Sequence, residues 1–155
     1  MANKKGVTNI FLQNVLIPLT EYFKGVFSSD TIPYFNNSEK FSLIVNLSKH
    51  NEIGTHFIGI FYDKKYIYYF DSYGLPCLIP QIKVFLNSFQ CEVYYNKRSI
   101  QSIESSLCGI FCLNFIYLLE KGMSFEEYIH LFTENTKHND VLVLCYTKYI
   151  FIDGF

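Results

Sequence analysis

The alternation of hydrophobic and polar residues along the chain predicts short strands in the middle and helices towards both ends. Short apolar runs bounded by polar or turn-forming residues predict four strands, at 41–47, 55–62, 65–71 and 91–95. Helical spacing or a long apolar run predicts helices at 9–24 (broken near Pro18 and stopping at Gly25), 78–89, 108–120, 124–132 and from Asn139 or Asp140 to Ile150. Residues 26–40 contain Ser28-Ser29-Asp30, Pro33 and Asn36-Asn37-Ser38 and are predicted as a loop.

The order of these elements predicts an α+β domain with a small mixed or antiparallel sheet flanked by helices. The run 108–120 is too long and too uniformly apolar for a strand, so it is predicted as a helix buried on most sides. Ser124 and Glu127 form a capping box that opens the helix after it. With 155 residues, half of them hydrophobic, we expect a single domain over 1–155.

Charge and composition narrow the functional classes. The net charge of −1 gives no support for nucleic-acid or membrane binding, although a local basic patch leaves nucleic acid open. No apolar run is long enough to cross a membrane, and the first residues have no apolar core after their charges. We therefore expect a soluble protein that is not secreted by the usual route. Five cysteines without a CxxC pair predict free thiols in a reducing compartment.

The predicted hairpin places a histidine beside a carboxylate. A two-residue turn at Asp63-Lys64 puts Ile60 opposite Ile67 and His56 opposite Asp71. Directly opposed side chains of an antiparallel pair lie roughly 5 Å apart at Cβ. An imidazole held by a carboxylate in this way has a fixed tautomer, as in a nucleophile–base–acid triad. A turn longer by one residue would break the pairing.

Cys108 is the candidate nucleophile because it begins the apolar helix. The unpaired N–H groups and positive dipole end of a helix N-terminus favour a thiolate. The alternative interpretation is a small buried hydrophobic residue, which is the usual fate of a free cysteine and which fits Cys112 and Cys145. Gln101, seven residues before Cys108, could donate its amide to an oxyanion, although a glutamine in a polar loop is more often only a loop residue.

The other histidines, His50, His130 and His138, lie in polar loops or on a short amphipathic helix and are interpreted as surface residues. No Cys or His pair has the CxxC or HxxxH spacing of strong zinc motifs, so no metal is expected.

Together these residues resemble the adenovirus maturation protease family, within the wider group that includes SUMO- and NEDD8-specific proteases. The resemblance covers positions 23 to about 119. It is carried by Phe23–Phe27, Ile44-Val45-Asn46, Thr55-His56-Phe57, Tyr69–Gly74, Gln101-Ser102 and Cys108–Cys112. Similar proteases occur in virophages and virus-like DNA transposons. The twelve Lys against one Arg, with frequent Asn, Ile, Phe and Tyr, indicate AT-rich codons and favour such a source.

The resemblance implies a papain-like α+β fold of the adenain type, with the nucleophile helix packed on a sheet that carries the base and the acid. It implies cleavage of viral precursor proteins, often after a Gly. Two residues depart from the family pattern, since Phe57 replaces a usual Trp and Asp71 replaces the Glu of the adenovirus enzyme. The chain is also shorter after the nucleophile helix, which leaves activation by DNA or by a peptide in doubt. A cysteine placed like Cys91 tethers the activating peptide in the adenovirus enzyme. Here Cys91 and Cys77 are interpreted as unpaired thiols.

The sequence therefore predicts a viral maturation cysteine endopeptidase that cleaves capsid precursors. In it Cys108 is the nucleophile, His56 the base, Asp71 the orienting acid and Gln101 the oxyanion donor. We expect no cofactor, a monomer, and a location in the host-cell cytoplasm, the viral factory or the virion. The alternatives are an isopeptidase acting on a ubiquitin-like modifier, a non-catalytic binding module on the same fold, and a structural domain with accidental motifs.

Overall fold

The computed structural model describes residues 6–153; the first five residues, on which the prediction about secretion partly rests, and the last two lie outside it. The described chain contains five helices and five strands. In order they are α1 (Asn9–Leu19), β1 (Phe23–Ser28), β2 (Phe41–Asn46), β3 (Phe57–Tyr62), β4 (Ile67–Phe70), α2 (Pro80–Asn87), β5 (Val93–Tyr95), α3 (Cys108–Glu120), α4 (Phe125–His130) and α5 (Thr136–Asp153). The predicted α+β class is confirmed.

The five strands form one mixed sheet in the order β1-β2-β3-β4-β5. The three central strands are antiparallel neighbours, while β1 pairs parallel with β2, and β5 pairs parallel with β4. Strands β2 and β3 are buried along their whole length, because helices cover both faces of the sheet. The middle of the sheet is therefore enclosed between the helices.

Strand β1 corrects the predictions of a helix through residue 24, a helix stop at Gly25 and a loop from residue 26. Helix α1 ends at Leu19, one residue after Pro18. Gly25 lies inside β1 with φ 134° at an irregularity in the pairing with β2, a backbone conformation that glycine adopts readily. The short, partly polar sequence FKGVFS becomes a strand because it pairs with β2 and buries Phe23 and Val26.

Two hydrophobic cores lie on opposite faces of the sheet. Side chains of β3 alternate between them, with Phe57 and Phe61 in the core shared with α1, α3, α4 and α5, and Ile58 and Ile60 in the core shared with α2. The helix α3, confirmed at 108–120, is buried along most of its length. Its position on β3 fixes where its first residue lies.

The β3–β4 hairpin has a register that differs from the predicted one by two residues. Ile60 pairs with Tyr69, and Tyr62 pairs with Ile67. The turn is longer because the carboxylate of Asp63 accepts hydrogen bonds from the N–H groups of Lys65 (2.8 Å) and Tyr66 (2.7 Å). The predicted pairing of His56 directly opposite Asp71 is therefore wrong. A shift of two residues nevertheless keeps every side chain on the same face of the sheet.

The last two helices, α4 and α5, follow α3 along the chain. The capping box of Ser124 and Glu127 is present and opens α4, as predicted. Helix α5 begins at Thr136, ahead of the predicted caps at Asn139 or Asp140. Asn139 is buried inside the helix, where its side chain bonds back to the N–H (2.8 Å) and C=O (2.7 Å) of Thr133.

Candidate active site

Three of the four predicted site residues meet at one end of the β3–β4 hairpin. His56 immediately precedes β3, Asp71 immediately follows β4, and Cys108 is the first residue of α3, which packs on β3. His56 Nε2 lies 2.8 Å from Asp71 Oδ1, and the Asp71 side chain is only 3% exposed. This bond leaves Nδ1 of the imidazole for Cys108.

The two-residue change in register explains how this geometry arises. Continuing the observed pairing of β3 with β4 places Tyr73, not Asp71, opposite His56. The Tyr73 and His56 rings stack with centroids 4.9 Å apart and planes inclined by 23°. Strand β4 ends at Phe70, and the following turn brings Asp71 within reach of the imidazole. Asp71 Oδ1 also accepts the N–H of Tyr73 at 2.8 Å.

The backbone of Asp71 is fixed by a residue from a distant part of the chain. Asn96 Oδ1 accepts the N–H of Asp71 (3.1 Å), and Asn96 Nδ2 donates to the C=O of Asp71 (2.5 Å). Asn96 is buried after the end of β5. Neither Asn96 nor Tyr73 was predicted as a site residue from the sequence. The signal for Tyr73 was its place in the turn after Asp71, which a correct hairpin length would have exposed.

The electrostatics of the site favour a charged pair. Burial lowers the pKa of His56, but its hydrogen bonds to Asp71 and Cys108 and their negative charges outweigh burial and raise it to about 9. Burial raises the pKa of Cys108. The hydrogen bond with His56, the backbone N–H groups of Phe57 and Gly109, and the imidazolium charge overcome this effect, so the pKa of Cys108 is lowered. The site therefore stabilises a thiolate beside an imidazolium.

The other cysteines with resolved shifts behave in the opposite way. Burial raises the pKa of Cys112 well above its ordinary value, and burial also raises that of Cys77 and Cys91. Cys112 lies one turn beyond Cys108 on the same helix, so helix position alone does not produce a thiolate. The contact with His56 distinguishes Cys108.

Cys108 is accessible from a cleft of about 960 Å³. His56, Tyr73 and Cys108 all line it, together with residues 6–10 and much of the stretch 46–57. This volume lies towards the upper end of the range for ligand-binding pockets, and the cleft is open to solvent. An extended polypeptide could therefore reach the sulfur atom.

Gln101 is buried beside this cleft and is held by three neighbours. Its Oε1 accepts from Ser72 Oγ at 2.5 Å, which fixes the orientation of the amide. Its Nε2 then donates to Ser105 O (3.1 Å) and Oγ (3.0 Å) and, over a longer 3.4 Å, to the Tyr73 hydroxyl. Ser105 and Tyr73 both line the cleft, whereas Gln101 itself is only 1% exposed and lies behind them.

Of the remaining histidines, His50 lines the same cleft but is paired with Asp30. His50 Nδ1 lies 2.6 Å from Asp30 Oδ2, and its side chain is 65% exposed on the cleft wall. Among residues 6–153, no group of three His, Cys, Asp or Glu side chains is arranged to hold a metal ion. None of the helices in the same range has the length and apolar character needed to cross a membrane.

Comparisons with known proteins bear on the fold. No protein-family model matches the sequence, and no curated protein matches it. The solved structure of the selenomethionine ASFV pS273R protease has a TM-score of 0.51 and 19% identity, covering 64% of this chain and 40% of that chain. AvrA, solved with IP6 and CoA, has a TM-score of 0.47 and 19% identity, covering 73% of this chain and 47% of its own.

The chain thus spans less than half the length of either protein. At this identity the likeness to the ASFV protease shows the fold alone. That fold is a papain-like α+β fold with a small mixed sheet flanked by helices, as predicted.

Proposed function

We propose that the protein is a cysteine endopeptidase, with Cys108 as nucleophile, His56 as base, Asp71 as the group that orients the base, and Gln101 as oxyanion donor. The observation that carries this proposal is the contact between His56 and Cys108, whose pKa values are shifted in opposite directions. The pKa of His56 is raised to about 9, while that of Cys108 is lowered. Strongly perturbed, mutually coupled groups that line a cleft are typical of catalytic sites.

The geometry supports a two-step acyl transfer. The Cys108 thiolate attacks the scissile carbonyl carbon, and the carbonyl electrons move to the oxygen. His56 then donates its Nδ1 proton to the leaving amine as the carbon–nitrogen bond breaks. Water, deprotonated by His56, hydrolyses the thioester and restores the thiolate. Asp71, fixed by Asn96, holds the imidazole throughout and stabilises its positive form.

Gln101 is suited to bind the oxyanion together with the backbone N–H of Cys108. Its Nε2 has three acceptors, Ser105 O and Oγ at 3.0–3.1 Å and the Tyr73 hydroxyl at 3.4 Å. The long contact with Tyr73 is the weakest of the three, and we infer that it gives way to a developing negative charge. Because Ser72 holds the amide oxygen, this donor is already oriented before substrate binds.

Our inference about the substrate class rests on the sequence motifs. We infer cleavage after Gly in capsid or other precursor proteins of a virus or virus-like element, within the infected cell. The ASFV neighbour is a protease, which agrees with peptide-bond hydrolysis.

The test compares two cysteines of one helix. Cys108→Ala should abolish cleavage of Gly-containing peptides while the far-UV circular dichroism spectrum stays unchanged. Cys112→Ala, which also removes one sulfur atom from α3, should remain active because Cys112 does not contact the cleft. Cleavage by Cys108→Ala at the wild-type rate would contradict the proposal. A modifier–fluorophore conjugate assayed in parallel separates an endopeptidase from an isopeptidase.

A further inference from the structure

The segment that precedes α1 lies against the nucleophile region. Residues 6–8 belong to neither a helix nor a strand, and Gly6 through Ile10 line the cleft that contains Cys108. Thr8 has an extended backbone (φ −92°, ψ 161°) and caps α1 by accepting the N–H of Phe11 at 3.1 Å. We call residues 6–8 the entry segment.

Two close contacts fix the entry segment to the chain around the nucleophile. A Cβ atom built on Gly109 would lie 2.4 Å from Val7 Cγ2, so Val7 occupies the space that any larger residue at 109 would need. A Cβ atom built on Gly6 would lie 3.0 Å from the carbonyl oxygen of Ser106. Ser106 and Gly109 flank Cys108, and the entry segment therefore runs along the nucleophile on its cleft side.

The entry segment also has backbone groups without a partner among residues 6–153. Among the described residues, the N–H and C=O groups of Gly6 and Val7 make no hydrogen bond, whereas the Thr8 carbonyl accepts from Leu12 at 3.1 Å. Backbone groups without a partner in the described part of the chain, beside an open cleft, can pair with an extended polypeptide in the manner of an added strand.

We propose that the entry segment is a substrate-binding subsite, which pairs through the backbone groups of Gly6 and Val7 with the main chain of an extended peptide substrate. The inference rests on the proposed endopeptidase function and adds a recognition element to it. Val7 is a positioning residue in this arrangement, since its packing on Gly109 holds the segment at the cleft. Main-chain pairing recognises any extended peptide, so it adds affinity without adding sequence preference.

Val7→Ala tests this directly, with Val15→Ala as the matched control. Both changes remove the same two methyl groups from half-buried valines packed against the same core, but Val15 does not line the cleft. We expect Val7→Ala to raise KM for peptides extended on both sides of the scissile bond by about tenfold, the equivalent of one or two hydrogen bonds. Its kcat should stay within about twofold, and a minimal Gly-reporter amide should be cleaved as by wild type.

A second measurement needs no change to the enzyme. Methylating the backbone nitrogens of a long substrate one at a time should identify a position where wild-type KM rises by about tenfold. At that position Val7→Ala should be nearly insensitive, because the pairing is already lost. Alkylation of Cys108 by iodoacetamide, which requires no subsite, should be equally fast in wild type and Val7→Ala.

The possible results distinguish a failure of the proposed subsite from a failure of the proposed endopeptidase function. Unchanged KM in Val7→Ala, or an N-methyl scan without a sensitive position, would overturn the subsite. A parallel loss of kcat and of alkylation rate would overturn it too, since Val7 would then only support α3. If wild type cleaves none of the peptides while Cys108 still reacts with iodoacetamide, the endopeptidase function itself is wrong.

Discussion

Replacing Asp71 by Asn tests the electrostatic basis of the site. The amide has the shape of the carboxylate and can still accept from the N–H of Tyr73, but it carries no charge. Among the interactions that raise the pKa of His56, the hydrogen bond to Asp71 is the largest. The alkaline limit of activity, where the imidazolium needed to protonate the leaving amine is lost, should therefore move to lower pH in Asp71→Asn.

The magnitude follows from the pKa of His56. It stands at about 9 against an ordinary 6.5, which corresponds to about 3 kcal/mol in favour of the charged ring. Burial lowers this pKa and remains after the substitution, so the partner interactions supply more than this net amount. Loss of the largest of them should shift the alkaline limb by at least about one pH unit, or about 1.4 kcal/mol.

The assay is the pH dependence of kcat/KM for a Gly-containing peptide between pH 5 and pH 10. Wild type should show an acid limb from forming the thiolate and an alkaline limb near pH 9, both belonging to the coupled Cys108–His56 pair. The maximum rate falls as well in Asp71→Asn, because an amide can hold the ring in the wrong tautomer. The position of the alkaline limb is therefore the readout.

Asp30→Asn is the matched control, because it removes a carboxylate from the protein's other His–Asp pair. Asp30 and His50 are joined by a 2.6 Å contact, and the groups that raise the pKa of His56 are Asp71 and Cys108, so the alkaline limb should stay in place. The reasoning is refuted if Asp71→Asn keeps its alkaline limb near pH 9, or if Asp30→Asn moves the limb by as much as Asp71→Asn does.

Three further predictions concern the oxyanion, the substrate and activation. Gln101→Ala should lower kcat by about 10²–10³. Gln101→Glu should lower kcat at least as much, because its carboxylate would face both Ser105 O and the developing negative charge. A wild-type kcat in both variants would show that Gln101 is not part of the site. Peptides with Val in place of the Gly before the scissile bond should resist cleavage, and rapid hydrolysis of the Val peptide would indicate a different pocket. Cys91→Ser should retain most activity without an added peptide, with or without reductant, since Cys91 does not line the cleft; dependence on a cysteine-bearing peptide would contradict this.

The elements with strong local signals could be predicted from the sequence. The uniformly apolar run 108–120 and the capping box at Ser124 specify helices that tertiary packing then keeps. Strand β1 could not be predicted, because FKGVFS has a weak local preference and becomes a strand only by pairing with residues of β2 that lie 18 or 19 positions further along the chain. Its placement depends on a long-range contact that no local pattern encodes.

The supporting network of the site was missed for the same reason. Asn96 reaches Asp71 across 25 positions of sequence, and Ser72 reaches Gln101 across 29. An asparagine or serine in a polar stretch gives no sign that it will be buried against a catalytic candidate. The chemistry-bearing residue types could be recognised, since Cys, His and Asp are few and each lies at the end of a predicted element. The residues that orient them are common polar residues, which only the fold distinguishes.

The hairpin shows why an incorrect register still indicated the correct pair of residues. Asp63 accepts two backbone N–H groups and lengthens the turn by two residues, so Tyr73 takes the position predicted for Asp71. A one-residue change would have turned Asp71 to the other face, away from His56. A two-residue change keeps the face, puts an aromatic ring against the imidazole, and leaves the carboxylate to approach from the turn. The ring of His56 is thereby held on two sides, by stacking and by a charged hydrogen bond, which a directly opposed Asp71 would not have provided.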